Sequence, residues 1–170
     1  MNVFLLHSDP LISASFLVDD HCAFVTIGTR VIRGCKMAIE AVQLLSTARI
    51  KYGASAPYKP THQNHPWARY VASGSDAYQL VRDHAIAILL EHEHRTGRTL
   101  PSVQVALDAC MDPPCAMPVH SAQLIPVCRG GGDIVHVHTL DEAIQLYRAY
   151  YHDVKIARMP RYTRREMPQW

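Results

Sequence analysis

Apolar residues recur at helical spacing along much of the chain, so the sequence predicts a mainly α-helical fold. One helix is predicted over about residues 36–50, with core positions at Met37, Ala41, Leu44, Leu45 and Ala48. A second helical stretch is predicted over about residues 66–95, with a break near residues 73–75 and an end at Gly97. Its second half would face the core through Ala77, Leu80, Val81, His84, Ile88 and Leu89.

Helix starts are marked by side chains that can accept hydrogen bonds from the first free backbone N–H groups. Asp9 followed by proline predicts a first helix that continues to about Asp20. Ser73 and Asp76 have the spacing of a capping box. Residues 139–142 (Thr-Leu-Asp-Glu) have the same spacing and predict the start of the last helix.

Two other segments lack the helical period. Residues 22–34 combine β-branched residues with a central glycine and predict a short hairpin insertion. Residues 111–133, rich in proline and glycine, are predicted to be irregular. The sequence therefore predicts a mainly all-α fold, a compact single-domain helical bundle over residues 1–154. A basic, aromatic C-terminal tail over residues 155–170 packs on it or extends from it.

Composition narrows the class of protein. Apolar residues make up 48% of the chain and charged residues 19%, values typical of a globular domain. The five cysteines are an odd number without regular spacing, which favours reduced thiols and a cytoplasmic location. No apolar run approaches the roughly 18 residues of a membrane span. The first residues lack a signal-peptide pattern, so no membrane partner is predicted.

The formal net charge is only +2, which disfavours a generic binder of polyanions, but the charge is unevenly distributed. From Lys155 to the end, five cations stand against one acid, with Tyr162 and Trp170 among them. Cations interleaved with aromatic residues suit contacts to phosphates and stacking on bases. The alternative is a tail that packs its tryptophan on the domain.

A polar stripe lies beside the apolar stripe of the predicted helix 36–50 and consists of Lys36, Glu40, Gln43 and Thr47. This spacing places an ammonium and a carboxylate on one helix face, at the boundary of the domain where a cleft can form. A carboxylate in such a position can act as a general base or stabilise a developing cation. The alternative is an ordinary surface ion pair worth about 0.3–0.5 kcal/mol.

The segment after this helix concentrates hydrogen-bonding side chains between prolines, at Lys59, Thr61, His62, Asn64 and His65. Such a loop can bind phosphate, and an amide such as that of Asn64 can contact a base edge. The alternative is a rigid connector whose polar groups cap the next helix.

No sequence motif predicts a metal or another cofactor. The pairs His92–His94 and His136–His138 have a spacing that separates side chains on a helix but places them on one face of a strand, and no zinc-ligand pattern occurs. His84 lies on an apolar stripe and is predicted to be a core histidine whose hydrogen bonds are satisfied.

Several motifs together resemble a family of small phage proteins. The matching segments are residues 19–21 (Asp-x-His), 36–37 (Lys-Met), 40–48 (Glu-x-x-Gln-Leu-Leu-Ser-Thr-Ala), 58–66 (Tyr-Lys-x-Thr-His-x-Asn-His-Pro), 116–118 (Ala-Met-Pro), 147–151 (Tyr-Arg-x-Tyr-Tyr) and the terminal Trp170. The resemblance covers nearly the whole chain, and a phage origin would place the protein in the cytoplasm of the host cell.

The same layout is more remotely similar to the pyrimidine-dimer DNA glycosylase superfamily, whose members are compact and helical. This resemblance implies that His21 corresponds to an early histidine and Glu40 to a catalytic glutamate on a helix. It further implies that nearby cations, Arg30, Arg33 and Lys36, hold the DNA backbone. Residues 22–34 would then be an insertion between the histidine and the glutamate.

These observations lead to the hypothesis of a DNA-acting enzyme, a pyrimidine-specific DNA glycosylase with or without an abasic-site lyase step. Glu40 would be the central catalytic group, and the amine of Met1 or Lys36 would form a Schiff base. Predicted contacts to a duplex or nucleotide come from Arg30, Arg33, Gln43, Lys59, Thr61, His62, Asn64, His65, Trp67, Arg69 and Trp170. Two alternatives are an enzyme acting on free or modified nucleotides and a non-catalytic protein that binds nucleic acid or a host protein.

Overall fold

A computed structural model describes residues 2–19, 25–27, 30–32, 35–130, 132–157 and 162–169, with the backbone only at 25–27, 30–32 and 130. Helices make up 52% of the structure, and the described strands form two small antiparallel sheets. The prediction of a mainly helical, compact fold is therefore confirmed, whereas a purely helical bundle is not. No helix within the described ranges has both the length and the apolar composition needed to cross a membrane.

The elements follow one another as helices interrupted by two hairpins. The helices are α1 (Pro10–Ser15), α2 (Lys36–Lys51), α3 (Pro66–Val71), α4 (Ser75–Thr96), α5 (Pro101–Asp108) and α6 (Leu140–Tyr150), which continues as a π-helical segment (Tyr151–Ile156). The strands are β1 (Val25–Ile27), β2 (Arg30–Ile32), β3 (Ile125–Gly130) and β4 (Asp133–Val137). β1 pairs antiparallel with β2, as the sequence predicts for a hairpin within residues 22–34.

The core lies around α4, which packs against α1, α2, α3 and α5. α2 contributes its predicted apolar stripe, and Leu44, Leu45 and Ala48 are fully buried. The predicted core face of α4 is also buried, except that Leu80 is only partly so. The amphipathic periods of these two helices therefore identify their buried faces correctly.

The first helix is shorter than predicted, because it ends at Ser15 and not near Asp20. Its end is set by Arg95 of α4, a fully buried side chain that donates to the carbonyl oxygens of Ser15 at 2.9 Å and Leu17 at 2.6 Å. The same guanidinium lies 3.1 Å from Asp19. Because Arg95 satisfies these carbonyls, the chain can leave the helix without burying free acceptors.

The predicted capping box of Ser73 and Asp76 is wrong, because the start of α4 is capped in another way. Gly74 is the N-cap and supplies no side chain. The backbone N–H groups of Ser75 and Asp76 instead donate to the carbonyl oxygens of Pro118 and Val119, at 2.8 and 3.2 Å. Residues 118–121 approach so closely that a Cβ on Gly74 would collide with the backbone of Ser121.

Residues 111–133 are not wholly irregular, because β3 occupies residues 125–130 and pairs with β4. Ile125 lies opposite Val137 and Val127 opposite Val135, with an irregular register between Cys128 and Gly130. This hairpin packs on α6. The predicted capping box at the start of α6 is confirmed, with Thr139 and Glu142 each accepting from the other's backbone.

The described part of the C-terminal segment packs on the domain. The Thr163 hydroxyl donates to Asp19 at 2.7 Å, and Arg165 forms an ion pair with Glu91 of α4 at 2.7 Å. Burial raises the pKa of Glu91, but bonds from Arg165 and Arg95 outweigh it and hold that pKa below its usual value. Arg164 donates to the carbonyl oxygen of His94. These two arginines therefore help to hold the C-terminal segment on the domain, and phosphate contact by this segment stays a prediction.

Candidate functional site

The candidate acid and base groups lie on the first turns of α2. Lys36 Nζ lies 3.3 Å from Glu40 Oε1, and the two side chains are 60% and 15% exposed. Glu40 is therefore largely withdrawn from solvent while its cationic partner remains accessible. The structure brings these two predicted site residues together as their i, i+4 spacing requires.

Thr47, further along the same face of α2, fixes the polar loop that follows the helix. Its hydroxyl donates to the carbonyl oxygen of Gln43 at 2.8 Å and accepts from the backbone N–H of Thr61 at 3.1 Å. Part of the predicted polar stripe thus acts as an anchor for the loop. Gln43, one turn earlier, is half-buried.

The two loop histidines have different surroundings. His62 is exposed and has φ +47°, a left-handed conformation that is uncommon for any residue except glycine. Its Nδ1 lies 2.7 Å from the Thr61 hydroxyl. Because such conformations cluster at sites where the surrounding structure enforces them, His62 remains a candidate for ligand contact.

His65 is half-buried at the start of α3, where its Nδ1 accepts from the backbone N–H of Trp67 at 3.2 Å. This is the capping role that the sequence left as an alternative for the loop. Burial lowers the pKa of His65, the positive charges of the chain's amino terminus and of His62 act in the same direction, and Glu40 opposes them. The charges of His62 and Glu40 therefore both act on the imidazole of His65.

Trp67 does not have the predicted role of stacking on a base. Its side chain is fully buried, and the indole N–H donates to the hydroxyl of Tyr147 at 3.2 Å. Tyr70 packs edge-on against it at 5.6 Å between ring centroids. With no accessible face, Trp67 stabilises the core and contacts no ligand, so this prediction is wrong.

A cavity of about 420 Å³ opens between the end of α2, the polar loop and α3. Its polar lining consists of Thr47, Lys51, Gln63, Asn64, Arg69 and Gln123. A second cavity of about 290 Å³ adjoins it, lined by Pro66, Leu124 and His136 together with three residues of the first. The shared residues are Asn64, Arg69 and Gln123, and we call the two cavities together the Arg69 groove.

The structure thus assembles some predicted site residues and separates others. Asn64 and Arg69 line the groove, whereas Lys59 is exposed and lies outside both linings. The side chain of Arg30 lies outside the described part of the structure, as do Met1, His21, Arg33 and Trp170.

Sequence reasoning missed Lys51, Gln63, Gln123 and His136. Lys51 follows Thr47 by four positions and so continues the polar stripe of α2, a signal that was available. Gln63 lies inside the polar loop, but the sequence analysis selected its neighbours as ligand contacts and not Gln63 itself. Gln123 and His136 come from the β3–β4 region, and no local pattern brings these residues to α3.

No metal cluster occurs in the described residues, where no three histidine, cysteine, aspartate or glutamate side chains come together as such a site requires. No protein-family model, curated protein or solved structure matches the chain.

Proposed function

We propose that the chain is a DNA-acting enzyme that cleaves the glycosidic bond of a pyrimidine nucleotide, with Glu40 as its central catalytic group. The observation that carries the proposal is the pair of Glu40 and Lys36 on the helix that also forms the wall of the Arg69 groove. Glu40 is only 15% exposed, so its carboxylate acts in a medium where electrostatic effects are stronger than in water.

The reaction proposed for Glu40 is a hydrolysis. The carboxylate removes a proton from water, the water oxygen bonds to the anomeric carbon, and the base leaves with the electrons of the broken C–N bond. The products are a free base and an abasic sugar. In a lyase enzyme, an amine attacks the same carbon in place of water, and the candidates are Lys36 and the α-amine of Met1.

The groove has a suitable position for a strand that reaches Glu40. Thr47 lines the groove seven residues after Glu40 on the same helix, which corresponds to about 10 Å along the axis. That length matches about three nucleotides at 3.4 Å each. A nucleotide held in the groove would thus leave a unit about three positions along the same strand near Glu40.

One observation favours a second candidate, an enzyme acting on free nucleotides. Arg164 and Arg165 are bonded to residues of α4 and the net charge is only +2, so the charge of the chain gives little general attraction for a long duplex. A ligand confined to the groove would need fewer phosphate contacts.

The experiment that tests the proposal measures strand breaks after treatment with hot alkali, which cleaves the strand at an abasic sugar, and combines this assay with borohydride trapping of a Schiff base. The substrates are duplexes with a thymine dimer, an abasic site or a modified pyrimidine, and the proteins are wild type, Glu40→Gln and Glu93→Gln. Glu93 is an exposed carboxylate of α4 and provides the matched control. We expect Glu40→Gln to lower the rate at least 100-fold and Glu93→Gln to leave it unchanged. Full activity of Glu40→Gln would refute the mechanism, and a trapped adduct would identify the attacking amine.

A further inference from the structure

We infer that the Arg69 groove is a binding site for a nucleotide, with the phosphate held by Arg69 and Lys51. The inference concerns the substrate class of the proposed function but depends on none of the chemistry assigned to Glu40. It rests on the unpaired donors that line the groove, the absence of acids among them and the shape of the two cavities.

Arg69 is the central cation of the groove. Its side chain is exposed, lines both cavities and makes no hydrogen bond or ion pair with the residues that the structure describes. A guanidinium has five donors in a planar fork that matches the oxygen atoms of a phosphate. An arginine left unpaired at the junction of two cavities is therefore suited to an anionic ligand.

Lys51 supplies a second cation from the last turn of α2. Its ammonium donates to the carbonyl oxygen of Ala72 at 3.2 Å and lies 5.6 Å from the centroid of the Tyr52 ring. These contacts orient the ammonium and leave two of its three donors for a ligand. Two cations of different origin, one on α2 and one on α3, thus line the larger cavity.

The rest of the polar lining also favours an anion. The amides of Gln63, Asn64 and Gln123 are exposed, and none makes a side-chain hydrogen bond within the described ranges. No aspartate or glutamate appears among the described residues that line either cavity. Because the described lining contains two cations and no acid, the local potential of the groove is positive.

The smaller cavity offers a different chemistry, suited to a sugar and base. Its other walls are Pro66, the half-exposed Leu124 and the exposed imidazole of His136 on β4. Flat or apolar side chains of this kind can pack against the face of a base. The larger cavity alone, at about 420 Å³, falls within the size range of small-ligand pockets. A phosphate at Arg69 with its nucleoside in the smaller cavity uses both parts of the groove.

The phosphate can belong to a free nucleotide or to a nucleic-acid strand, and binding measurements distinguish these sources. The probes are thymidine, thymidine 5′-monophosphate and a single-stranded oligothymidylate, titrated by calorimetry into wild type and Arg69→Gln. Arg98→Gln removes the same charge from an exposed position outside the groove and is the control. Tighter binding of the monophosphate per site indicates a free nucleotide, and tighter binding of the oligonucleotide with a strong salt dependence indicates a strand.

We expect the phosphorylated probes to bind at least tenfold more tightly than thymidine. Arg69→Gln should remove most of this difference, whereas Arg98→Gln should change the dissociation constants less than twofold. Equal binding of thymidine and its monophosphate, no binding of any probe, or unchanged binding by Arg69→Gln would overturn the inference.

The same titrations with Glu40→Gln separate the inference from the proposed function. If wild type and Glu40→Gln both bind nucleotides normally and neither cleaves DNA, the nucleotide site in the Arg69 groove is supported and the glycosylase activity is refuted. If cleavage depends on Glu40 but Arg69 contributes nothing to phosphate binding, the glycosylase activity is supported and the nucleotide site in the Arg69 groove is refuted.

Discussion

His84 lies in the centre of α4 and is only 1% exposed, with no hydrogen-bond partner for either ring nitrogen among the described residues. The prediction of a core histidine is confirmed, but its hydrogen bonds are not satisfied there. Burial lowers the pKa of His84 from 6.5 to about 4, because the interior disfavours the charged imidazolium. This position therefore links the stability of the fold to pH.

The sign and size of this linkage follow from the two pKa values. Between pH 6.5 and about 4 the unfolded chain binds a proton at His84 and the folded protein does not, so acid favours unfolding. Above pH 6.5 the ring is neutral in both states, so His84 no longer makes the free energy of unfolding depend on pH. Each unit of pKa difference corresponds to about 1.4 kcal/mol, so His84 accounts for a loss of about 3 kcal/mol across this window.

The test compares urea unfolding of wild type, His84→Leu and His136→Gln at several pH values from 7.5 to 4. Leucine fills similar space without unpaired polar atoms, so we expect His84→Leu to be at least as stable as wild type at pH 7.5. It should also lose about 3 kcal/mol less than wild type on acidification. His136 is exposed, and its replacement should leave the pH dependence nearly unchanged. Parallel curves for wild type and His84→Leu would refute the reasoning.

Two further substitutions test contacts that hold the ends of α4. Glu91→Gln should reduce the free energy of unfolding by about 3 kcal/mol, because the buried Arg95 and the docked Arg165 each lose a charged partner. Urea unfolding measures this loss, and an effect no larger than that of the exposed Glu93→Gln would contradict it. Gly74→Ala should cost about 1–3 kcal/mol, since the new Cβ would collide with the backbone of Ser121. An unchanged melting temperature for this variant would show that residues 118–121 can move aside.

The sequence predicts those parts of the fold whose signals are local. The apolar periods of α2 and α4 identify their buried faces, and Gly97 ends α4 in the left-handed conformation expected of a C-terminal glycine. The capping box before α6 is also local, since both of its partners lie within four residues. In each case the residues that decide the structure are neighbours along the chain.

The predictions fail where a distant segment decides the outcome. α1 ends early because Arg95, about eighty residues away, binds the carbonyl oxygens of Ser15, its last residue, and of Leu17 just beyond it. α4 begins without a side-chain cap because the carbonyls of Pro118 and Val119 take that role. Pro126 and the glycines after it led to the prediction of an irregular segment where β3 lies. Both strands of a two-stranded sheet are edge strands, where proline is tolerated.

The same distinction between local and distant signals applies to the residues of the candidate site. Asn64 and Arg69 could be selected because they lie in or just after a segment dense in polar groups. Gln123 could not, since its place in the groove depends on the path of the chain between α5 and β3. A groove assembled from four separate segments, residues 47–51, 60–72, 123–124 and 136, has no sequence pattern of its own.

The burial of Trp67, which the sequence analysis did not predict, explains how the groove is held in shape. Trp67 and Arg69 are two positions apart on α3, so with one side chain in the core the other points away from it. The hydroxyl of Tyr147 accepts from Trp67 and from the backbone N–H of Cys128, at 3.2 and 3.0 Å, and so joins α3, α6 and β3. β3 pairs with β4, which carries His136, and His136 lines the smaller cavity together with Arg69. The tryptophan that the sequence assigns to base contact therefore positions Arg69 from inside the core, and it does so through the same hydroxyl that fixes the hairpin.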